Sequence, residues 1–191
     1  MLKNSLNFLE LHSKKFAKEN GVFDIVLYGS AARSKDQPND IDILIIFVNE
    51  PLEKRLEIAQ KFKGIVRAEI KNPDIKTINL SELFDNNLLS KEGIIVEGFS
   101  LIHQRHFSES LGFKGYALFL YDLMNMNHNE KTKFTYALIG RNNEGILKIT
   151  HSNQFGKGSI SAPIENSEII EDFMKKWKVN YRKKKILIAE A

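Results

Sequence analysis

Two short apolar runs, at residues 25–28 and 44–47, stand out in the first half of the chain. Each run is bounded by polar and turn-forming residues, so each predicts a buried β-strand. Gly29 and Ser30 end the first run, and Ala31 and the residues after it can start a helix. A polar loop then leads to the second run. The pattern predicts a strand, a sharp turn, a loop and a second strand.

Helices and strands alternate around these two runs. Apolar positions at helical spacing predict a first helix that ends before Gly21. The period-two pattern of residues 75–80 predicts a strand. Residues 65–70 are compatible with either a short strand or a further helical turn. The other predicted elements are a helix over 2–19, a helix over 51–63, a helix over 88–97 and a strand over 99–102.

The second half of the chain is predicted to be a separate small domain. Residues 103–112 are polar and predict a linker between domains 1–102 and 113–191. The apolar segment 116–124 and residues 131–139 are helix candidates. Strands are expected at 160–164 and 183–188, with a helix capped by Ser167 between them. This order predicts a small α+β domain, with a winged-helix-like arrangement as one form of it.

The turn after the first strand and the start of the second carry the candidate chemistry. Gly29 lets the backbone approach a bulky anion closely, and Ser30 lies at a strand-to-helix turn whose N–H groups favour phosphate. Asp40 and Asp42 are two residues apart at a strand start, so both carboxylates are expected on one face. Paired carboxylates beside a phosphate-binding turn favour Mg²⁺.

The ordered set Gly29-Ser30, Arg33 and Asp40-x-Asp42, placed between the two strands, resembles the signature of the DNA polymerase beta-type nucleotidyltransferase superfamily. The resemblance covers about residues 1–102 and is closest to the minimal, small-domain branch. It implies an α/β (α+β) core in which helices flank a small mixed sheet. Residues 94–102 resemble the segment that ends that core.

The resemblance also implies a reaction and a role for each residue. Gly29 and Ser30 would hold the β- and γ-phosphates of a nucleoside triphosphate, and Asp40 with Asp42 would bind Mg²⁺ or Mn²⁺. Arg33 would neutralise phosphate charge, or make an ordinary surface salt bridge. An acceptor hydroxyl or phosphate would attack the α-phosphorus, and pyrophosphate would leave. The implied function is a magnesium-dependent nucleotidyltransferase.

The third carboxylate of the superfamily is the point at which this sequence departs from it. The family's acid aligns with Lys76, which cannot bind Mg²⁺. Asp74 lies two residues earlier, on the same face of a strand, and is the first substitute; Glu69 is the second. If neither serves, the chain is a non-catalytic module that binds nucleotide or nucleic acid. A third hypothesis is the antitoxin role of some minimal members, which modify or mask a toxin.

Charge distribution separates the two halves. The net charge is +4, and residues 103–191 carry net +5 against −1 for residues 1–102. A basic second half suggests a polyanionic partner, and nucleic acid is the candidate. Alternation along the last strand should send its cations to two opposite faces, one of which would track a nucleic-acid backbone. The candidate residues are Lys157, Arg182, Lys183, Lys184 and Lys185.

Composition excludes some classes of site. The chain has no cysteine, which rules out disulfides and thiolate metal sites and agrees with a reducing compartment. No apolar run is long enough to span a bilayer, and the amino terminus does not resemble a signal peptide. A cytoplasmic protein without membrane contact is therefore expected. The oligomeric state is not indicated by the sequence.

Overall fold

A computed structural model describes residues 2–32, 40–85 and 91–189. The chain forms two compact units, Met1–Leu111 and Gly112–Ala191. In the described residues, no helix has both the length and the apolar character needed to cross a membrane.

The first unit follows the predicted alternation of helices and strands. Its helix and strand assignments agree with the apolar pattern at both strands and at the two long helices. The elements are α1 (Leu2–Asn20), β1 (Asp24–Tyr28), α2 (Gly29–Ala32), β2 (Ile41–Phe47), α3 (Leu52–Val66), β3 (Pro73–Asn79), α4 (Lys91–Ile95), β4 (Phe99–Ser100), β5 (Arg105–His106) and α5 (Phe107–Ser110). The segment left open between strand and helical turn continues α3 to Val66 and then turns.

The first unit's sheet has five strands in the order β3-β2-β1-β4-β5. β1 pairs antiparallel with β2 and with β4, and β2 pairs parallel with β3. The sheet is therefore mixed, as predicted. The parallel pair is joined through α3, because a parallel connection needs a crossover element.

Both faces of the central strands are covered by apolar side chains. One face packs against α1 and α3, through residues that include Ile43, Phe16 and Phe62. The opposite face holds a second cluster: Val26, Tyr28, Leu44, Ile46, Ile78, Leu83, Ile94 and Phe107. Strands buried on both faces need near-continuous apolar sequence, which explains the two runs.

Residues 103–110, predicted as part of a linker, belong to the first unit. They contain β5 and α5, and Phe107 is fully buried in the second apolar cluster. Its N–H also donates to the carbonyl of Gly98 at 2.8 Å. A single large aromatic among polar residues is enough to anchor this segment, which is why its polar composition was misleading.

The second unit is α+β, as predicted, and is organised around a four-stranded antiparallel sheet of order β7-β8-β6-β9. Its elements are β6 (Phe113–Asp122), α6 (His128–Ile139), α7 (Ile146–Ile149), β7 (Asn153–Gly156), β8 (Ser159–Pro163), α8 (Ser167–Lys176) and β9 (Asn180–Ala189). The two ten-residue strands β6 and β9 pair along their whole length.

The prediction of a helix at 116–124 was wrong, because β6 occupies most of that segment. Gly115, Ala117 and Phe119 alternate as its buried positions, while Leu120 is 38 % exposed. Apolar residues also stand at the partly exposed positions between them, so the period-two signal is hidden in the sequence. The ring of Phe134 in α6 packs at a tilt against the ring of Tyr121 on the buried face.

Candidate active site

Gly29 lies where β1 gives way to α2, and its backbone lies against the side chain of Asp42. Its φ is +70°, a left-handed conformation that favours glycine. A side chain at this position would collide with the Asp42 carboxylate, with the Cγ only 3.2 Å from an ideal Cβ. The backbone at position 29 and the Asp42 carboxylate are therefore closer than they could be if position 29 held any residue other than glycine.

Asp42 is the centre of a row of polar side chains that crosses three strands. The antiparallel pairing of β1 and β2 sets Tyr28 opposite Asp42, and the parallel pairing of β2 and β3 sets Asp74 opposite Asp42. Residues directly opposite each other on neighbouring strands project to the same face. All three therefore share the face of the sheet that carries the second apolar cluster.

Lys76 joins the row from β3, two residues beyond Asp74 and hence on the same face. Its Nζ lies 3.2 Å from Oδ2 of Asp74, and its charge also acts on the hydroxyl of Tyr28. β2 separates β1 from β3, and neighbouring strands are about 4.8 Å apart. Lys76 therefore shares a face of the sheet with Asp42, Asp74 and Tyr28.

The ionisation of this row reflects the same proximity. Burial raises the pKa of the Tyr28 hydroxyl; the ammonium of Lys76 opposes that rise, and the carboxylates of Asp42 and Asp74 add to it. The hydrogen bond to Asp74 raises the pKa of Lys76, and Tyr28 adds to the effect. Near neutral pH the site therefore contains a neutral tyrosine and a lysine cation among carboxylates.

The other predicted site residues lie around this row. Asp40 is exposed and immediately precedes β2, and Ser30 is half-buried in α2. Asp74 is half-exposed and ion-paired with Lys76, so the first substitute for the missing acid is on the right face but already has a cationic partner. Glu69 is exposed in the turn after α3, off β3. Arg33 lies outside the described residues.

The donor set suits a single hard cation. Mg²⁺ takes oxygen ligands and is commonly held by one or two carboxylates together with substrate phosphates. Asp42 stands against a backbone with no side chain of its own, and Asp40 precedes it by two residues. Within residues 2–32, 40–85 and 91–189, no three or more histidine, aspartate or glutamate side chains are grouped to hold a metal ion. Asp40 and Asp42 are the two carboxylates that would hold such an ion together with substrate phosphates.

A comparison with protein families decides the nature of the first unit. Residues 12–98 match the family described as Polymerase beta, Nucleotidyltransferase. Residues 12–98 of the first unit are therefore similar to the nucleotidyltransferases of this family. The match covers just under half of the chain and includes Gly29, Ser30, Asp40 and Asp42. The predicted resemblance is thereby confirmed, and the second unit lies outside the matched residues.

Solved structures that are similar to part of the chain include chains from toxin–antitoxin complexes. A chain in the crystal structure of a mutant MntA–HpeT complex is 18 % identical, with a TM-score of 0.35, over 48 % of this chain and 70 % of that one. A chain in the structure of tri-AMPylated Shewanella oneidensis HEPN toxin with MNT antitoxin is 20 % identical, with a TM-score of 0.32, over 53 % and 71 %. No curated protein sequence matches the chain. The assignment of the nucleotidyltransferase domain rests on residues 12–98 alone.

Two features of the first unit were not predicted from the sequence. Tyr28 carries no chemical prediction, although it is the last residue of the first apolar run. The position of Lys76 near Tyr28 is not predicted either. The interaction between Lys76 and Tyr28 depends on the order of strands in the sheet, and that order was not predicted. Knowing that β1 and β3 flank β2 would have pointed to it.

The basic residues of β9 divide between two faces, as alternation predicts. Arg182 and Lys184 are exposed, whereas Lys183 and Lys185 are half-buried on the face that packs under α8. Lys183 donates to Oε2 of Glu171 at 2.7 Å and covers the ring of Phe119. The charge of Lys183 is therefore paired inside the second unit, unlike the exposed positions of Arg182 and Lys184.

Arg182 and Lys157 lie at the same end of the second unit's sheet. Arg182 lines a shallow cavity of about 530 Å³, and Lys157 lines a neighbouring one of about 390 Å³. Tyr121, Asp122 and Gly158 belong to both cavities. Lys157, Arg182 and Lys184 are thus the exposed cations of the predicted set.

Proposed function

We propose that the nucleotidyltransferase domain moves a nucleoside monophosphate from a nucleoside triphosphate to an acceptor, with Mg²⁺ as its cation. The observation that carries this proposal is the contact between Gly29 and the Asp42 carboxylate. It brings the backbone of Gly29 directly beside the carboxylate that is proposed to bind the metal ion, which supports binding of a triphosphate that carries a divalent cation. The family match over residues 12–98 supports the reaction class.

The transfer balances as an in-line displacement. An oxygen of the acceptor forms a bond to the α-phosphorus while the bond from that phosphorus to the bridging oxygen of the β-phosphate breaks. The bonding electrons leave with pyrophosphate. An attacking hydroxyl releases its proton to water, and an attacking phosphate oxygen has no proton to release. The products are the nucleotidylated acceptor and pyrophosphate.

The chain's own residues bind and orient the substrate. The backbone at Gly29 and Ser30 holds the β- and γ-phosphates, and the carboxylates of Asp40 and Asp42 hold the cation. A bound Mg²⁺ supplies charge neutralisation on the phosphates. Holding the triphosphate in one orientation beside the acceptor is the main contribution of such a site, since phosphoryl transfer needs little covalent help from the protein.

The acceptor is proposed to be nucleic acid held by the second unit. Lys157, Arg182 and Lys184 are exposed cations on one unit with net positive charge. Phosphate contacts by such side chains bind without strong dependence on base sequence. A protein or small-molecule acceptor is the competing outcome of the experiments described below.

A second candidate function is nucleotide binding without turnover. The observation that favours it is Lys76, which stands where the superfamily's third carboxylate is expected and is paired with Asp74. The two functions are separated by incubating the full chain with each nucleoside triphosphate and Mg²⁺ or Mn²⁺, with RNA, DNA or no added acceptor. We expect pyrophosphate release in wild type and none in Asp42→Asn. Binding without release in wild type would establish the second candidate instead.

A further inference from the structure

Many phosphoryl-transfer sites hold two metal ions. Lys76 instead gives the first unit a cation at the position where the resemblance implies a third carboxylate. Its ammonium lies 3.2 Å from Oδ2 of Asp74 on β3, and its charge also acts on the hydroxyl of Tyr28 on β1. Asp42 lies between Asp74 and Tyr28 in the strand order, so Lys76 is on the face of the sheet that carries Asp42.

The ion pair between Lys76 and Asp74 is not a buried structural pair. The side chains of Lys76 and Asp74 are 60 % and 50 % exposed. An exposed pair of this kind contributes about 0–1 kcal/mol to stability. Stability alone is therefore a weak reason for a lysine here, whereas an exposed ammonium beside a phosphate site can meet the substrate directly.

We propose that the Lys76 ammonium replaces the second metal ion of the site and contacts the α-phosphate of the bound nucleotide. This inference rests on the proposed function. It makes the site a one-metal site: Asp40 and Asp42 hold a single divalent ion, and Lys76 supplies the second positive charge. Asp74 positions that lysine and is not a metal ligand.

The direct test counts divalent ions. Mn²⁺ is titrated into the full chain with each of the four α,β-methylene nucleoside triphosphates, and bound Mn²⁺ is counted by electron paramagnetic resonance. Wild type should bind one Mn²⁺ for each bound nucleotide. Lys76→Asp, which removes the cation and adds a carboxylate beside Asp42 and Asp74, should bind two.

Activity gives a second readout in the same variants. Lys76→Met should lower the transfer rate by roughly 10²-fold or more, as expected when a preorganised charge at the reacting phosphate is removed. Lys76→Arg, which keeps the charge, should recover most of it. The matched control is Lys61→Met, because Lys61 is also an exposed lysine, paired with Glu57. That control should change neither the ion count nor the rate.

The outcomes separate this inference from the proposed function. Two Mn²⁺ per nucleotide in wild type would overturn the role of Lys76 and leave nucleotidyl transfer standing. An unchanged count in Lys76→Asp together with an unchanged rate in Lys76→Met would also overturn it. If no methylene analogue binds to wild type with Mn²⁺, the proposed function itself fails, and the inference fails with it.

Discussion

Two separate physical requirements keep glycine at position 29. The left-handed backbone costs a residue with a Cβ roughly 1–2 kcal/mol. The Asp42 carboxylate fills the space that a Cβ would need. Gly21 has nearly the same φ, +65°, but an added Cβ there meets nothing within 4 Å. A side chain at position 21 therefore meets only the backbone cost, whereas one at position 29 meets both the backbone cost and the collision with Asp42.

We predict that Gly29→Ala destabilises the first unit more than Gly21→Ala does, by a further ~1–3 kcal/mol typical of overpacking. Urea unfolding followed by far-ultraviolet circular dichroism measures both. In an Asp42→Ala background the excess should vanish, because the colliding carboxylate is gone. Equal losses for both glycine variants would contradict the close contact between Gly29 and Asp42.

Residue-scale prediction from sequence succeeded where the chemistry is local. Gly29, Ser30, Asp40 and Asp42 lie within fourteen residues of one another, so their order and spacing carry the family signature. Lys76 and Tyr28 are far apart in sequence and meet only across β2. The spacing of residues along the chain does not show that these two side chains are close, which is why their interaction could not be predicted.

At the scale of elements, β9 serves two purposes on its two faces. Lys183 and Tyr181 both donate to Glu171 of α8, at 2.7 and 3.0 Å, and tie the strand to the helix above it. Arg182 and Lys184 point to the exposed face. Cations on an edge strand also discourage edge-to-edge pairing with other chains. The basic run is therefore divided by alternation, as expected from sequence.

We predict a pH-dependent contribution from Glu171. Burial raises its pKa, but the hydrogen bond and charge of Lys183, with Tyr181 and Lys175, outweigh burial and leave it below the usual 4.5. A lowered folded-state pKa means that the stabilisation is present above about pH 5 and is lost as pH falls through the folded value. Glu171→Gln should therefore be less stable than wild type at pH 7, and the gap should close on acidification.

The fluorescence of Trp177 follows this unfolding, because it is the only tryptophan and packs against Phe134 of α6. Asp172→Asn is the matched control, since Asp172 is 79 % exposed on the same helix. A gap between wild type and Glu171→Gln that does not change with pH would show that the ion pair is not responsible.

The exposed face of β9 makes a separate prediction about nucleic acid. Arg182→Ser with Lys184→Ser should flatten the salt dependence of RNA or DNA binding by one or two phosphate contacts, about 0.7–0.9 in the logarithmic slope for each. Lys183→Ser should leave that slope unchanged, because Lys183 is paired with Glu171. Fluorescence anisotropy over a salt series measures the slopes.

Lys14→Ser with Lys18→Ser removes the same charge from exposed positions on α1 and is the control. If wild type binds neither RNA nor DNA at low salt, the second unit is not a nucleic-acid surface. The acceptor would then be a protein or a small molecule.

Helices and strands were predicted well where one of their faces is polar or where turn-forming residues mark both of their ends. The other elements were predicted poorly. β1 and β2 are bounded by turn residues, and α6 and α8 have clear helical spacing. β6 carries apolar residues on both faces, which hides its period. The segment 103–110 is polar in composition and held by one buried phenylalanine, which composition does not reveal.

In the whole molecule, a first unit similar to polymerase beta nucleotidyltransferases is followed by a second compact unit of net positive charge. The mixed sheet of the first and the small sheet of the second both agree with the predicted class. The excess of positive charge lies in residues 103–191, which contain the second unit. The sequence could not name the acceptor, because acceptor binding is proposed for a unit that matches no family.

Nucleotidyl transfer is tested most directly by following the α-phosphorus of the triphosphate. The full chain is incubated with Mg²⁺, an acceptor panel of RNA, DNA and the chain itself, and each triphosphate labelled at either the α- or the γ-phosphorus. We expect that the α-label becomes bound to an acceptor, that the γ-label appears in pyrophosphate, and that Asp42→Asn does neither. Transfer of the γ-label, or release of the α-label only as free monophosphate, would contradict nucleotidyl transfer.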